Sequence, residues 1–177
     1  MSTLFLKMKT LQLQSTLPLN DSNLPYPDPL HPIVVHFVIA MVFFAFFCDV
    51  VGYFFHKRHL HEVSFWNLFV ATAAIFVAIL FGQFEAGLAT PYEAVQPVLN
   101  LHTLIGWSLA AILAFITGWR FVIRNRTPLK VPPAYLGVAT FSIVIVSLQV
   151  FLGTQLVWEY GLHVKPVVEA MNRGIIK

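Results

Sequence analysis

Histidine and glutamate residues recur at matching positions in the two halves of the chain, within segments that are otherwise apolar. Leu30-His31 opens one apolar segment and Leu101-His102 opens another 71 positions later, and the same offset carries Asp49 onto Arg120. The segments that follow close on Glu85-Ala86-Gly87-Leu88 and on Glu159-Tyr160-Gly161-Leu162. Such a repeat predicts two similar helical hairpins with a ligand site at their interface.

Four of these polar side chains should lie in one layer near one end of the predicted bundle. At a helical rise of about 1.5 Å per residue, Glu85 lies about 5 Å and His36 about 7 Å below the level of His31 and His102. The spacing of small residues places Glu85 and His102 on inward faces, and we expect His36 to mark the inward face of the first helix. Unpaired ionisable groups are costly in a membrane, so this convergence suggests a functional site.

The layer has several possible occupants. The leading one is a b-type haem held by two neutral imidazoles. The distance expected between facing helices suits His36 with His102, whereas the internal repeat favours His31 with His102. A copper or zinc ion, or a quinone headgroup bound by His and Glu, is a weaker alternative. The structural alternative is that His31 caps a helix before Pro32 and that His36 hydrogen-bonds Glu85.

A second polar group is expected towards the opposite end. Asp49 and Arg120 lie at one depth, and opposite charges in apolar surroundings should pair, so we predict that they touch and fix the packing of the first and third helices. His56, His59 and His61 occupy a basic link, where we expect them to be solvated and to titrate freely rather than to bind metal.

Composition sets the class of protein and the elements that must position these residues. The chain of 177 residues is 58% hydrophobic and only 11% charged, with a mean hydropathy of +0.75, which indicates an integral membrane protein. The net charge of +3 comes from basic residues in short links, so nucleic-acid binding is not expected. The single cysteine, Cys48, excludes an intrachain disulfide.

The pattern predicts an all-α membrane protein with four transmembrane helices in an up-down bundle, over residues 31–55, 65–88, 101–123 and 134–158. Basic residues concentrate in the first and third links, which the positive-inside rule makes cytoplasmic. Both termini are then extracytoplasmic, with a flexible tail over residues 1–30 and a C-terminal segment over residues 159–177.

Three motifs carry a family resemblance: Leu30-His31-Pro32-Ile33-Val34-Val35-His36-Phe37, Leu101-His102-Thr103-Leu104-Ile105-Gly106-Trp107 and the run from Gly153 to Val164. They closely resemble the bacterial membrane family known as domain of unknown function 2231. The resemblance implies a four-helix domain in the inner or photosynthetic internal membrane of a bacterium. The resemblance also implies an association with redox proteins, since some members are similar to proteins joined to Rieske domains or encoded beside respiratory oxidases.

Two functional hypotheses follow. The first is a small redox subunit that binds haem, or a metal or quinone, through His31, His36, His102 and Glu85. The second is a cofactor-free accessory or assembly subunit of a respiratory or photosynthetic complex. Both predict contact with the lipid bilayer and with a membrane-protein partner or a second copy of the chain. No nucleophile and base pair or phosphate loop is present in the sequence, so independent catalysis is not expected.

Overall fold

The computed structural model describes residues 30–88, 91–127, 131–164, 166–167, 170 and 173–175. It contains four long helices, α1 (Leu30–Phe55), α2 (Arg58–Leu88), α3 (Gln96–Arg126) and α4 (Pro133–Trp158), with a short 3₁₀ helix at Glu93–Val95. All four long helices have the length and apolar composition needed to cross a membrane. The predicted all-helical membrane fold is confirmed, whereas most of the predicted tail over residues 1–30 lies outside the described residues.

The link between α1 and α2 is much shorter than the sequence predicts. His56 adopts a left-handed φ of 54°, and the Lys57 amide donates to the Gly52 carbonyl at 3.0 Å, so the chain reverses directly after α1. α2 therefore begins at Arg58 instead of residue 65. The basic segment predicted to be a loop forms the first turns of a membrane helix.

The third helix is also longer than predicted, since α3 begins at Gln96 instead of residue 101 and continues to Arg126. Proline lies in the first turn of both α3 and α4, where its fixed φ suits a helix start.

The helices pack as two hairpins, α1 with α2 and α3 with α4, and the hairpins meet through the α2–α3 and α1–α4 contacts. α1 and α3 consequently face each other across the diagonal of the bundle. The apolar core draws on every helix, for example through Val42, Ala71, Leu113 and Val146. Large side chains such as Phe44 and Phe47 lie on the outside, which suits contact with lipid.

Candidate functional site

His31 lies at the start of α1 with its ring held against α2. Its Nδ1 is 2.7 Å from the carbonyl oxygen of Ala78, and because a carbonyl only accepts, Nδ1 must carry the proton. A Cβ at Gly82 would lie 2.9 Å from Cε1 and Nδ1 of this ring. The glycine therefore forms a socket into which the imidazole fits, and the hydrogen bond leaves Nε2 as the nitrogen with a free lone pair.

His102 occupies the equivalent position near the start of the second hairpin, and its ring packs on α4. A Cβ at Gly153 would lie 3.2 Å from His102 Cε1, so Gly153 repeats the role of Gly82. The Gln149 amide nitrogen is 3.0 Å from the His102 carbonyl oxygen and 3.2 Å from its Nε2. Gln149 stands at the position in its hairpin that Ala78 holds in the first.

The two imidazoles meet across the bundle diagonal. Their ring centroids are 6.4 Å apart, and the ring planes are inclined at 81°. Each ring is set in the glycine socket of its own hairpin. Two positions that the internal repeat makes equivalent, His31 and His102, thus lie next to each other in the structure.

Glu85 joins this layer through the backbone. Its Oε1 accepts a hydrogen bond of 2.9 Å from the His31 main-chain amide, one of the donors that the first turn of α1 leaves without an intrahelical partner. A carboxylate at this point also interacts favourably with the positive end of the helix dipole. Glu85 thereby fixes the start of α1, and with it the position of the His31 ring, from α2.

His36 does not face the layer, so its predicted inward orientation is wrong. Its side chain is exposed, and Nδ1 lies 2.6 Å from the Pro32 carbonyl oxygen on the same helix. His31 and His36 are five positions apart, about 140° around a helix, and only His31 has the phase that points into this bundle. The alternative contact between His36 and Glu85 is likewise not formed: Glu85 bonds the His31 amide, and His36 bonds its own helix.

The second polar group lies among the opposite ends of the helices. Arg120 Nη2 is 3.4 Å from Asp49 Oδ1, the contact that the sequence predicts, and the same nitrogen donates to the His61 carbonyl oxygen at 3.0 Å. Tyr135 lies beside them, with its ring centroid 5.7 Å from Arg120 Cζ. Asp49 and Arg120 are each only 2% exposed, so the two opposite charges are paired inside the protein, with Arg120 Nε left without a hydrogen-bond partner among the described residues.

His61 belongs to this group as well, although the sequence predicts that it is solvated. It is 5% exposed, and its Nδ1 lies 2.9 Å from Asp49 Oδ1. The ring occupies space that Gly52 leaves open, since a Cβ there would lie 2.8 Å from His61 Cε1. The signal in the sequence was Gly52 itself, a small residue one turn after Asp49 on α1.

Comparison with known proteins places the chain in a family. The sequence profile of a family described as predicted membrane protein, domain of unknown function 2231, matches residues 27–166. That range contains all four long helices, the two imidazoles and the buried ion pair. No curated protein and no solved structure shows significant similarity to the chain. With most of its length matched, the chain belongs to the membrane protein family of domain of unknown function 2231.

Proposed function

We propose that this protein is a small redox subunit that holds one b-type haem between His31 and His102. The observation that carries the proposal is the pair of imidazoles 6.4 Å apart on helices that face each other across the bundle. Two imidazoles that bind one metal ion from opposite sides, through nitrogen bonds of about 2 Å, have ring centroids roughly 6 Å apart. Bis-histidine haem in a helical bundle uses ligands from facing helices in this way.

The donor set favours haem over a bare metal ion. In the described part of the chain, no group of three or more His, Cys, Asp or Glu side chains is arranged to hold a metal ion. Haem requires only two ligands from the protein because the porphyrin supplies the other four nitrogens. The hydrogen bond from His31 Nδ1 to the Ala78 carbonyl oxygen also suits a metal ligand. Metal-binding histidines usually donate the N–H of their other ring nitrogen to a carbonyl or carboxylate.

A haem bound here would supply one-electron transfer, while the side chains would set its position and surroundings. Glu85 would hold the first turn of α1 in place, and the glycine sockets would orient the two rings. His36, exposed and bonded to its own helix, has no role in this proposal.

The orientation that we propose places the imidazole layer at the extracytoplasmic side. Basic residues mark the other ends of the helices: Lys57, Arg58, Arg124 and Arg126. Positive charge near span ends favours the cytoplasmic side, so the start of α1 and the end of α4 would lie on the extracytoplasmic side. An electron partner would then approach the layer from outside or within the membrane, as part of a respiratory or photosynthetic complex or as a second copy of the chain.

A reduced-minus-oxidised visible spectrum of the purified protein in detergent tests the proposal, with metal content measured on the same sample. We expect Soret and α bands at about one haem per chain that are lost in His31→Ala or His102→Ala and retained in His36→Ala. The exposed His36 is the matched control because it lies on the same helix as His31. A wild-type spectrum without these bands and without metal would reject haem and favour the cofactor-free accessory subunit.

A further inference from the structure

We propose that Asp49, His61 and Arg120 form a proton-binding site, and that a proton bound at His61 loosens the contact between α1 and α3. Asp49 and His61 belong to the first hairpin, whereas Arg120 belongs to the second. The site lies at the opposite end of the helices from the imidazole layer, and it is independent of the function proposed for that layer.

The atom that receives the proton is His61 Nε2. Nδ1 lies 2.9 Å from Asp49 Oδ1, and because a carboxylate only accepts, Nδ1 already carries a proton. The lone pair is then on Nε2, which forms no hydrogen bond within the described part of the chain. His61 lies in the first turn of α2, about 5 Å along the helix axis from Arg58, so water at the membrane surface is close to the ring. Histidine is the side chain that ordinarily changes charge between pH 5 and 8.

Ionisable groups around the His61 ring come from all four helices. Asp49 and Arg120 carry one negative and one positive charge, so the site is neutral while His61 is neutral. Glu62 does not supply a second negative charge, because its carboxylate oxygens bind Arg124 Nε at 2.8 and 3.0 Å. A bound proton therefore leaves two cations that share one carboxylate. The other ionisable side chains beside the site are the Cys48 thiol of α1 and the Tyr135 phenol of α4.

The two cations compete for the same oxygen atom. His61 Nδ1 is 2.9 Å from Asp49 Oδ1, whereas Arg120 Nη2 is 3.4 Å from it, longer than an ordinary hydrogen bond. A positive charge on the imidazole strengthens the shorter bond and repels the guanidinium group. Arg120 is therefore the donor that Asp49 releases.

Arg120 can leave Asp49 without losing its other partners. Its Nη2 also donates to the His61 carbonyl oxygen at 3.0 Å, and its Cζ lies 5.7 Å from the Tyr135 ring centroid. These contacts hold α3 to α2 and α4, so only the diagonal contact with α1 is lost. The step involves no oxidation or reduction, because the Nε2 lone pair forms an N–H bond with a proton from water, and release of the proton reverses it.

Nuclear magnetic resonance of the full-length protein in detergent, with ¹⁵N-labelled histidine, follows the proton directly. The His61 signal, identified by its absence in His61→Gln, should change from the neutral to the doubly protonated form between pH 8 and 5. Gly52→Ala pushes the ring away from Asp49 and should lower the midpoint of this change by about 1 pH unit. Gly118→Ala, with open space around its Cβ position, should leave the midpoint unchanged.

The loosened contact is measured by the coupling between Asp49 and Arg120, the non-additivity of Asp49→Ala and Arg120→Ala in unfolding free energy. This coupling should fall by roughly half or more between pH 8 and 5, and it should stay constant when His61→Gln is also present. His59→Gln removes an exposed histidine of the same helix and should behave like the wild type.

Helical circular dichroism checks that each variant is folded, and the resonance titration needs neither Asp49→Ala nor Arg120→Ala. A His61 signal that stays in one form between pH 8 and 5 would overturn the proton-binding site. Equal midpoints in Gly52→Ala and Gly118→Ala would remove Asp49 from it. A titrating His61 with an unchanged coupling would overturn the loosening of α1 from α3.

Discussion

Arg120 Nη2 lies 3.4 Å from Asp49 Oδ1 across the diagonal of the bundle, joining two positions that the internal repeat makes equivalent. Because the two equivalent residues carry opposite charges, the packing of the two hairpins brings them together as an ion pair. A pairing of two identical hairpins would instead bring together two carboxylates or two guanidinium groups.

Breaking this pair from one side should be more damaging than removing it whole. We expect Asp49→Ala and Arg120→Ala each to lower the free energy of unfolding in detergent by about 3–5 kcal/mol, because each leaves a buried charge without its partner. The double replacement should cost much less than the sum of the two. Glu62→Ala, which removes the partly exposed bridge to Arg124, is the control and should cost about 0–1 kcal/mol. Additive effects of the two single replacements would contradict the pairing.

A methyl group at Gly52 should disturb the same cluster sterically. Gly52→Ala would place its Cβ 2.8 Å from His61 Cε1, so the His61 ring must move away from Asp49. We expect a loss of about 1–3 kcal/mol in unfolding free energy. Gly118→Ala is the matched control, since nothing lies within 4 Å of its Cβ position. Equal stability of the two variants would show that the His61 ring is not held against α1.

Glycine-to-alanine replacement can also compare the two sockets that hold the imidazole rings. Gly82→Ala would meet the His31 ring at 2.9 Å, and Gly153→Ala would meet the His102 ring at 3.2 Å. We expect the first to reduce both thermal stability and haem content more than the second, because its ring is also held to a backbone carbonyl. Gly137→Ala has open space around it and should affect neither property. A larger effect at Gly153 would show that the His102 ring is held more firmly than the His31 ring.

The link before α3 contains a tyrosine, Tyr92, whose ionisation should make the free energy of unfolding depend on pH. The Tyr92 hydroxyl donates to the Tyr160 carbonyl, and burial, followed by the nearby Tyr160, raises the pKa of the Tyr92 phenol above its ordinary value. Folding therefore favours the protonated phenol, so this stabilisation is complete below about pH 10, the unfolded pKa, and declines as pH rises towards the folded pKa.

Thermal unfolding of the wild type and Tyr92→Phe over a pH series measures this contribution. The wild type should be more stable by about 1 kcal/mol near neutral pH, the value of one hydrogen bond. The difference should shrink as the pH passes about 10, because only the wild type has this phenol to ionise. A difference that stays constant over that range would show that the Tyr92 contact is independent of its proton.

The sequence alone determined the membrane class, the four apolar helices and the contact between Asp49 and Arg120. Composition and span length are properties of the chain that need no knowledge of packing. The repeat then placed two residues of opposite charge at one depth, where burial left them no better partner than each other.

Only the tertiary structure decided which histidines face inward. His31 and His36 are both compatible with an inward face, and the rotation of α1 against α2, fixed by the Gly82 socket and by Glu85, selects His31. The burial of His61 depended similarly on the two-residue link after α1, which brings the first turns of α2 against Gly52. Periodicity gives the angle between two residues on a helix, whereas the direction in which that helix is turned is set by its neighbours.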